Sequence, residues 1–174
     1  ALATVGLSSS WAVDYPAVVK FFDPSCYWRL GETEGPTAAE EIYGLDAIYA
    51  GALVFGVDGA IVGDADTAVR MPGIAYGAAG YAAIYMADSI EIGSTDSATF
   101  LCWVKADGTQ VGHTQLVMNR ADGAFSGTGS TTGLTVVSDN CLGYHWNNQS
   151  FSYGFTSGLA LETGVWNFAA LSVE

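Results

Sequence analysis

Three closely spaced aspartates, Asp58, Asp64 and Asp66, are the residues best suited to hold a metal ion. Glycines and small residues separate them, and carboxylate and carbonyl oxygens in such loops are the ligands that Ca²⁺ prefers. Acidic residues in turns more commonly accept hydrogen bonds from nearby backbone N–H groups. The spacing therefore predicts either a calcium site or a pair of turn-capping carboxylates.

A second cluster combines aromatic rings with polar groups at Tyr144, His145, Trp146 and Asn147. Sugars are bound by rings that stack on them and by polar side chains that bond their hydroxyls, so the cluster predicts a glycan-binding site. On a strand, Tyr144 and Trp146 would share one face, while His145 and Asn147 would point outwards. The alternative is that Tyr144 and Trp146 pack into the core.

Patterns expected of an enzyme are missing from the sequence. Glycoside hydrolysis on a β-sandwich needs paired carboxylates on one strand face, and no Glu-x-Asp-x-Glu segment or close variant occurs. The two histidines, His113 and His145, stand in no nucleophile-elbow context. We expect a protein that is not an enzyme.

Charge and composition exclude further classes. Five basic residues against eighteen acids give the 174-residue chain a net charge of −13, which repels phosphate backbones, so no nucleic-acid partner is expected. The apolar runs fall far short of the roughly 20 residues that span a bilayer, so no membrane insertion is expected. The cysteines Cys26, Cys102 and Cys141 lack metal-ligand spacing and are predicted to be free thiols.

Short segments rich in Val, Ile, Thr and aromatic residues, separated by many of the 22 glycines, predict an all-β protein. In 98–105, Phe100 and Cys102 alternate with Leu101 and Trp103, as expected of a strand in a two-sheet sandwich. The predicted strands are 26–31, 45–50, 67–71, 81–86, 98–105, 114–119, 133–138, 141–147, 151–156 and 165–173.

Several side-chain positions follow from these strands. Trp28, Trp103 and Trp166 are predicted to lie in the core, as is a stripe at period two formed by Phe151, Tyr153 and Phe155. Arg29 alternates with Trp28 and is expected to pair with Glu32 on the same side of its strand. Asp139-Asn140 is predicted to form a tight hairpin, because Asn tolerates positive φ.

Several motifs in register resemble the laminin G-like, concanavalin A-type jelly rolls found in phage virion and bacterial surface proteins. The resemblance rests on Tyr-Trp-Arg-Leu-Gly-Glu at 27–32, Gly-Leu-Asp-Ala-Ile-Tyr-Ala-Gly at 44–51, Phe-Gly-Val-Asp-Gly-Ala at 55–60, Gly-Asp-Ala-Asp-Thr-Ala-Val at 63–69, and the segments 99–104 and 165–170. It implies a two-sheet antiparallel jelly-roll sandwich over 23–174, lacking its last strands, after an N-terminal arm at 1–22. It also implies Ca²⁺ at one rim, although Glu-Glu-Ile-Tyr-Gly at 40–44 replaces a loop that lies near the ion in relatives.

Two functions remain open at this stage. The first is a structural module on a phage virion surface, such as capsid decoration, fibre or tail, in contact with other chains or in an oligomer. The second is a carbohydrate-binding module of a bacterial cell-surface or secreted protein. The apolar arm, the free thiols and the lack of a leader peptide favour the first, whereas the aromatic–amide cluster and the acidic loops favour the second.

Overall fold

The computed structural model describes residues 14–72, 82–86, 97–110, 112, 114–120, 131–147 and 149–174. Strand and bridge residues make up 46% of them and helix 8%, so the predicted all-β class is confirmed. Residues 1–13 of the predicted arm, His113 and the first residue of the predicted strand 81–86 lie outside the described part. Neither described helix has the length and apolar character needed to cross a membrane.

Within the described residues the chain forms two short helices and ten strands. The helices are α1 (Tyr15–Phe21) and α2 (Ser150–Tyr153). The strands are β1 (Thr37–Ala38), β2 (Ala47–Gly51), β3 (Val54–Asp58), β4 (Thr67–Arg70), β5 (Ala82–Tyr85), β6 (Ala98–Lys105), β7 (Thr114–Arg120), β8 (Thr131–Val136), β9 (Leu142–His145) and β10 (Trp166–Val173).

All strand pairs in the described part are antiparallel, and they form four sheets with the orders β1-β2-β5, β3-β4, β6-β10 and β7-β8-β9. Two apolar clusters lie among them. The first is built on Ala38, Ala47 and Tyr49 in the first half of the chain. The second joins β6, β8 and β10 through Phe100, Leu134 and Ala169. Partly buried apolar residues of neighbouring strands pack against each cluster, as amphipathic strands require.

Several local predictions are confirmed. The strand predicted at 98–105 is β6, with Phe100, Cys102 and Val104 against the second cluster and Leu101 on the opposite face. The strand predicted at 165–173 is β10 to within one residue. Asp139 and Asn140 have φ values of 47° and 58° in the turn that joins β8 to β9, as the predicted hairpin requires.

Other predictions are wrong. Residues 26–31 form no strand apart from a bridge between Trp28 and Glu40, because Leu30 takes a φ of 61°, which breaks an extended run. The predicted strand 151–156 begins instead as α2, and Phe151 and Phe155, predicted to face the core, are 69% and 47% exposed. The strands β1 and β3 were not predicted.

Helix α1 covers the region predicted as the end of the arm. Asp14 caps it by accepting a hydrogen bond from the Ala17 backbone N–H at 3.3 Å, and Pro16 stands in its first turn. The helix has seven residues and none of them is buried. Since a helix this short is marginal on its own, contacts elsewhere must hold it.

Candidate functional site

The predicted calcium ligands do not form a metal-binding cluster. The Asp66 carboxylate lies 2.7 Å from Arg29 Nε, and an Asp64 oxygen lies 3.2 Å from an Arg29 terminal nitrogen. Asp58 is exposed at the end of β3. Among the described residues no group of three or more His, Cys, Asp or Glu side chains is placed to hold a metal. Because a guanidinium already occupies Asp64 and Asp66, these residues do not fit Ca²⁺ as they stand.

The two carboxylates also organise the turn that carries them. Asp64 accepts a hydrogen bond from the Asp66 backbone N–H at 3.0 Å, and Asp66 accepts one from the Thr67 backbone N–H at 3.1 Å. This is the turn-capping alternative raised by the sequence. The predicted pairing of Arg29 with Glu32 is wrong, because Leu30 turns the chain and directs the guanidinium to the aspartates.

A shallow polar pocket of about 180 Å³ lies beside this ion-pair cluster. It is lined by Arg29, Gly31, Glu32, Glu41 and Asp66. Each of its three carboxylates already has a hydrogen-bond partner: the Tyr49 hydroxyl donates to Glu32 at 2.5 Å, Lys20 Nζ lies 2.7 Å from Glu41, and Arg29 binds Asp66. Separate contacts around the pocket therefore hold each of its three carboxylates in place.

Glu40 accepts more hydrogen bonds than any other carboxylate in the described part of the chain. It is buried and accepts hydrogen bonds from the backbone N–H groups of Tyr27, Ile42, Tyr43 and Leu45. Burial alone would raise the pKa of Glu40, but these donors outweigh it and hold the pKa below its ordinary value. The Glu40 carboxylate therefore joins the backbone at Tyr27 to the backbone of 42–45.

The predicted ligand-binding residues lie together at one end of the β7-β8-β9 sheet. Tyr144 and His145 close β9, Trp146 follows, and the backbone N–H of Trp146 donates to Ser152 Oγ on α2 at 3.0 Å. Asn147 is exposed, with a φ of 47°, and its backbone N–H donates to Thr132 Oγ1. His145, predicted to point outwards, is only partly exposed, and its Nε2 is buried.

Exposed rings lie beside that cluster. The ring of Phe155 meets that of Tyr144 edge to face at 5.4 Å between centroids, and Phe155 and Phe151 are both exposed. Tyr144 and Trp146 are partly buried rather than core. Rings that are partly open to solvent are what stacking on a sugar requires.

The outward face of the β6–β10 ribbon was missed as a functional surface. It consists of Thr99, Leu101, Trp103 and Lys105 on β6, paired with Ser172, Ala170, Phe168 and Trp166 on β10, and we call it the outer face. Leu101, Trp103 and Phe168 are 53%, 37% and 51% exposed, so the prediction that Trp103 lies in the core is wrong. The rings of Trp103 and Phe168 pack together at 5.2 Å. The sequence signal for this surface was that the residues on both faces of the strand 98–105 are largely apolar.

Helix α1 is attached next to the outer face by polar contacts. Trp103 Nε1 donates to the Tyr15 hydroxyl at 2.9 Å, and Lys20 pairs with Glu41. The apolar end of the helix is left open, since Phe21 and Phe22 are 83% and 76% exposed. The outer face and α1 together present aromatic side chains that no described residue covers.

Cys26 and Cys102, two of the three free cysteines, are partly buried. Burial raises the pKa of Cys26 to about 11, with the Glu40 carboxylate adding to the effect, and burial raises the pKa of Cys102 to about 11. Both thiols are therefore protonated at neutral pH and weakly nucleophilic.

Comparison with models of protein families, with curated proteins and with solved structures found no match for this chain.

Proposed function

We propose that the chain is a non-enzymatic structural and adhesion module, with a laminin G-like jelly-roll sandwich, on the surface of a phage virion as a capsid-decoration, fibre or tail component. The observation that carries the proposal is the aromatic surface formed by the outer face and α1. Exposed aromatic rings in one patch are enriched where proteins contact proteins.

The attachment of α1 supports the same function. A seven-residue helix with no buried residue gains little from the domain on which it lies. Its exposed pair, Phe21 and Phe22, gains apolar burial only when another surface covers it. Contact with neighbouring chains would cover these two rings and stabilise α1, which accounts for both features.

Particle labelling and incorporation test this proposal. Antibodies raised against the chain should label intact particles from the source, and the exposed-ring substitution Phe168→Ser should lower incorporation of the chain into those particles. The matched control is Phe151→Ser, which removes an exposed ring outside the outer face. Particles without the chain, or equal incorporation of Phe168→Ser and the control, would show that the proposal is wrong.

A carbohydrate-binding module of a bacterial cell-surface or secreted protein is the second candidate. It is favoured by the partly open rings of Tyr144 and Trp146 beside the exposed Asn147. A multivalent display of the chain should bind glycans on an array, and folded Trp146→Ala should lose that binding, since ring stacking contributes on the order of 1 kcal/mol. A chelator arm tests whether Ca²⁺ takes part. Binding that survives Trp146→Ala would exclude this site.

A further inference from the structure

We infer that the outer face pairs with the same face of a second copy of the chain, related by a two-fold axis. This inference rests on the proposed function, because it names the partner of the same contact surface. Three features of the outer face carry it: its charge, its relief and its size.

Charge selects which partner can approach. The chain carries eighteen acids, yet none of the eight outer-face residues is acidic, and Lys105 is their single charged member. Two copies with a net charge of −13 each repel one another least where carboxylates are missing. A basic partner would be drawn to the acidic turns instead, so the outer face fits a second copy better than a cationic protein.

The relief of the outer face is self-complementary. The Trp103–Phe168 ring pair lies next to the Lys105–Trp166 pair at one end of the outer face. At the other end Thr99 and Ser172 are small and bonded to each other at 3.2 Å between hydroxyl oxygens. Leu101 and Ala170 lie between them as cross-strand partners. An isologous interface needs the same patch to fit itself after a two-fold rotation.

The register fixes where the axis must lie. An axis in the interface plane, crossing both strands at Leu101 and Ala170, reverses the strand direction. It lays the ring pair of each copy over Thr99 and Ser172 of the other. Two sheets packed face to face in this way bury rings in hollows rather than ring against ring, as interdigitating sheets do.

Size predicts the strength of the pairing. Eight-residue strands reach about 26 Å, and two of them give a face roughly 10 Å wide. Its area of about 260 Å² is well below the ~800 Å² per partner typical of stable interfaces. The strands alone would therefore associate weakly. Phe21 at the end of α1 and its C-cap residue Phe22 are also exposed, on a helix that is attached to Trp103 through Tyr15. We expect a dimer that forms reversibly and depends on concentration.

Sedimentation of the full chain over a concentration series tests the inference. The wild type should pass from monomer to dimer, and Phe168→Glu should raise the dissociation constant about tenfold or more, as expected for a central aromatic contact. The matched control, Phe151→Glu, places the same charge on an exposed phenylalanine of α2 and should dimerise like the wild type. A wild type that stays monomeric throughout, or equal effects of the two variants, overturns the inference.

A charge pair tests the geometry itself. In the proposed arrangement residue 168 of one copy faces residue 172 of the other. Phe168→Glu and Ser172→Lys should each weaken self-association, whereas an equimolar mixture of the two variants should associate more tightly than either alone. If the mixture does not recover, the two-fold arrangement is wrong.

Particle incorporation separates this inference from the proposed function. If the wild type is monomeric but Phe168→Glu still prevents incorporation, the second copy is the wrong partner and the contact function stands. If Phe168→Glu neither changes the oligomeric state nor lowers incorporation, both the inference and the use of this face in the proposed function fail.

Discussion

The indole N–H of Trp103 donates a 2.9 Å hydrogen bond to the hydroxyl oxygen of Tyr15, and this contact fastens α1 to the outer face of β6. The helix has no fully buried residue, and this bond and the ion pair between Lys20 and Glu41 help to hold it in place. Both contacts are partly open to solvent, and each contributes at most about 1 kcal/mol. Helix α1 is thus held by a few polar contacts that a partner can readily reinforce.

Tyr15→Phe removes the acceptor for Trp103 and should loosen α1 alone. We expect faster amide hydrogen exchange across 15–21, while the free energy of unfolding falls by less than about 1 kcal/mol, because water can replace the lost partner. Exchange followed by mass spectrometry, together with urea denaturation, measures both quantities. Tyr43→Phe, at another exposed tyrosine, is the control. Equal exchange of α1 in the wild type and Tyr15→Phe would contradict the assigned role of this bond.

Leu134→Ala and Trp103→Ala should separate the core from the outer face. Leu134 is buried in the second apolar cluster, so its truncation should cost about 2–5 kcal/mol through lost transfer energy and a cavity. Trp103 is 37% exposed, and its truncation should cost clearly less, nearer the ~1 kcal/mol of an average substitution. Urea denaturation gives both values. A larger loss for Trp103→Ala than for Leu134→Ala would place that ring in the core after all.

Local patterns made part of the fold predictable. Strand β6 follows from strict alternation, since Phe100 and Cys102 face the core while Leu101 faces out. The turn at Asp139 and Asn140 follows from residue types that tolerate positive φ. In both places the physical cause lies within a few neighbouring residues.

The remaining features depend on contacts between distant residues. Arg29 reaches Asp64 and Asp66 across more than thirty positions, and Glu40 collects backbone donors from both sides of its own segment. No local pattern identifies such partners. The strand predicted at 151–156 was wrong for another reason. Aromatic residues at period two also suit a short helix when one ring remains exposed, as the ring of Phe151 does.

Gly31→Ala should disrupt the ion-pair cluster. A Cβ atom at position 31 would lie 1.8 Å from Asp66 Oδ1, so the carboxylate that binds Arg29 would have to move. We expect the free energy of unfolding to fall by roughly 1–3 kcal/mol. Gly108→Ala is the matched control, because nothing lies within 4 Å of its Cβ position. Equal stabilities of the two variants would show that Asp66 can shift without cost.

Arg29→Ala tests whether the aspartates can hold calcium once their guanidinium is removed. In the wild type Arg29 pairs with both Asp64 and Asp66, so added Ca²⁺ should leave the melting temperature unchanged. In Arg29→Ala the two carboxylates lose that partner, and Ca²⁺ should raise the melting temperature by relieving their repulsion. Arg70→Ala, which frees the single carboxylate of Asp107, is the control. A rise in the wild type itself would restore the calcium site predicted from the sequence.

Glu40→Gln should destabilise the chain in a way that depends on pH. The carboxylate receives four backbone N–H groups, whereas an amide offers one acceptor oxygen, so the variant leaves buried donors unsatisfied at a cost of about 1–3 kcal/mol. The pKa of Glu40 is lower in the folded chain than its ordinary value of 4.5, so the ionised form stabilises the fold fully above that value. As the pH falls through the lowered pKa, the Glu40 carboxylate of the wild type takes up a proton and loses this stabilisation.

The stability difference between wild type and Glu40→Gln should therefore be largest near neutral pH and shrink below about pH 4.5. Urea denaturation at a series of pH values measures it, with Glu34→Gln as a control at an exposed glutamate. A difference that stays constant from neutral to acid pH would mean that the backbone donors do not act on the charge of Glu40.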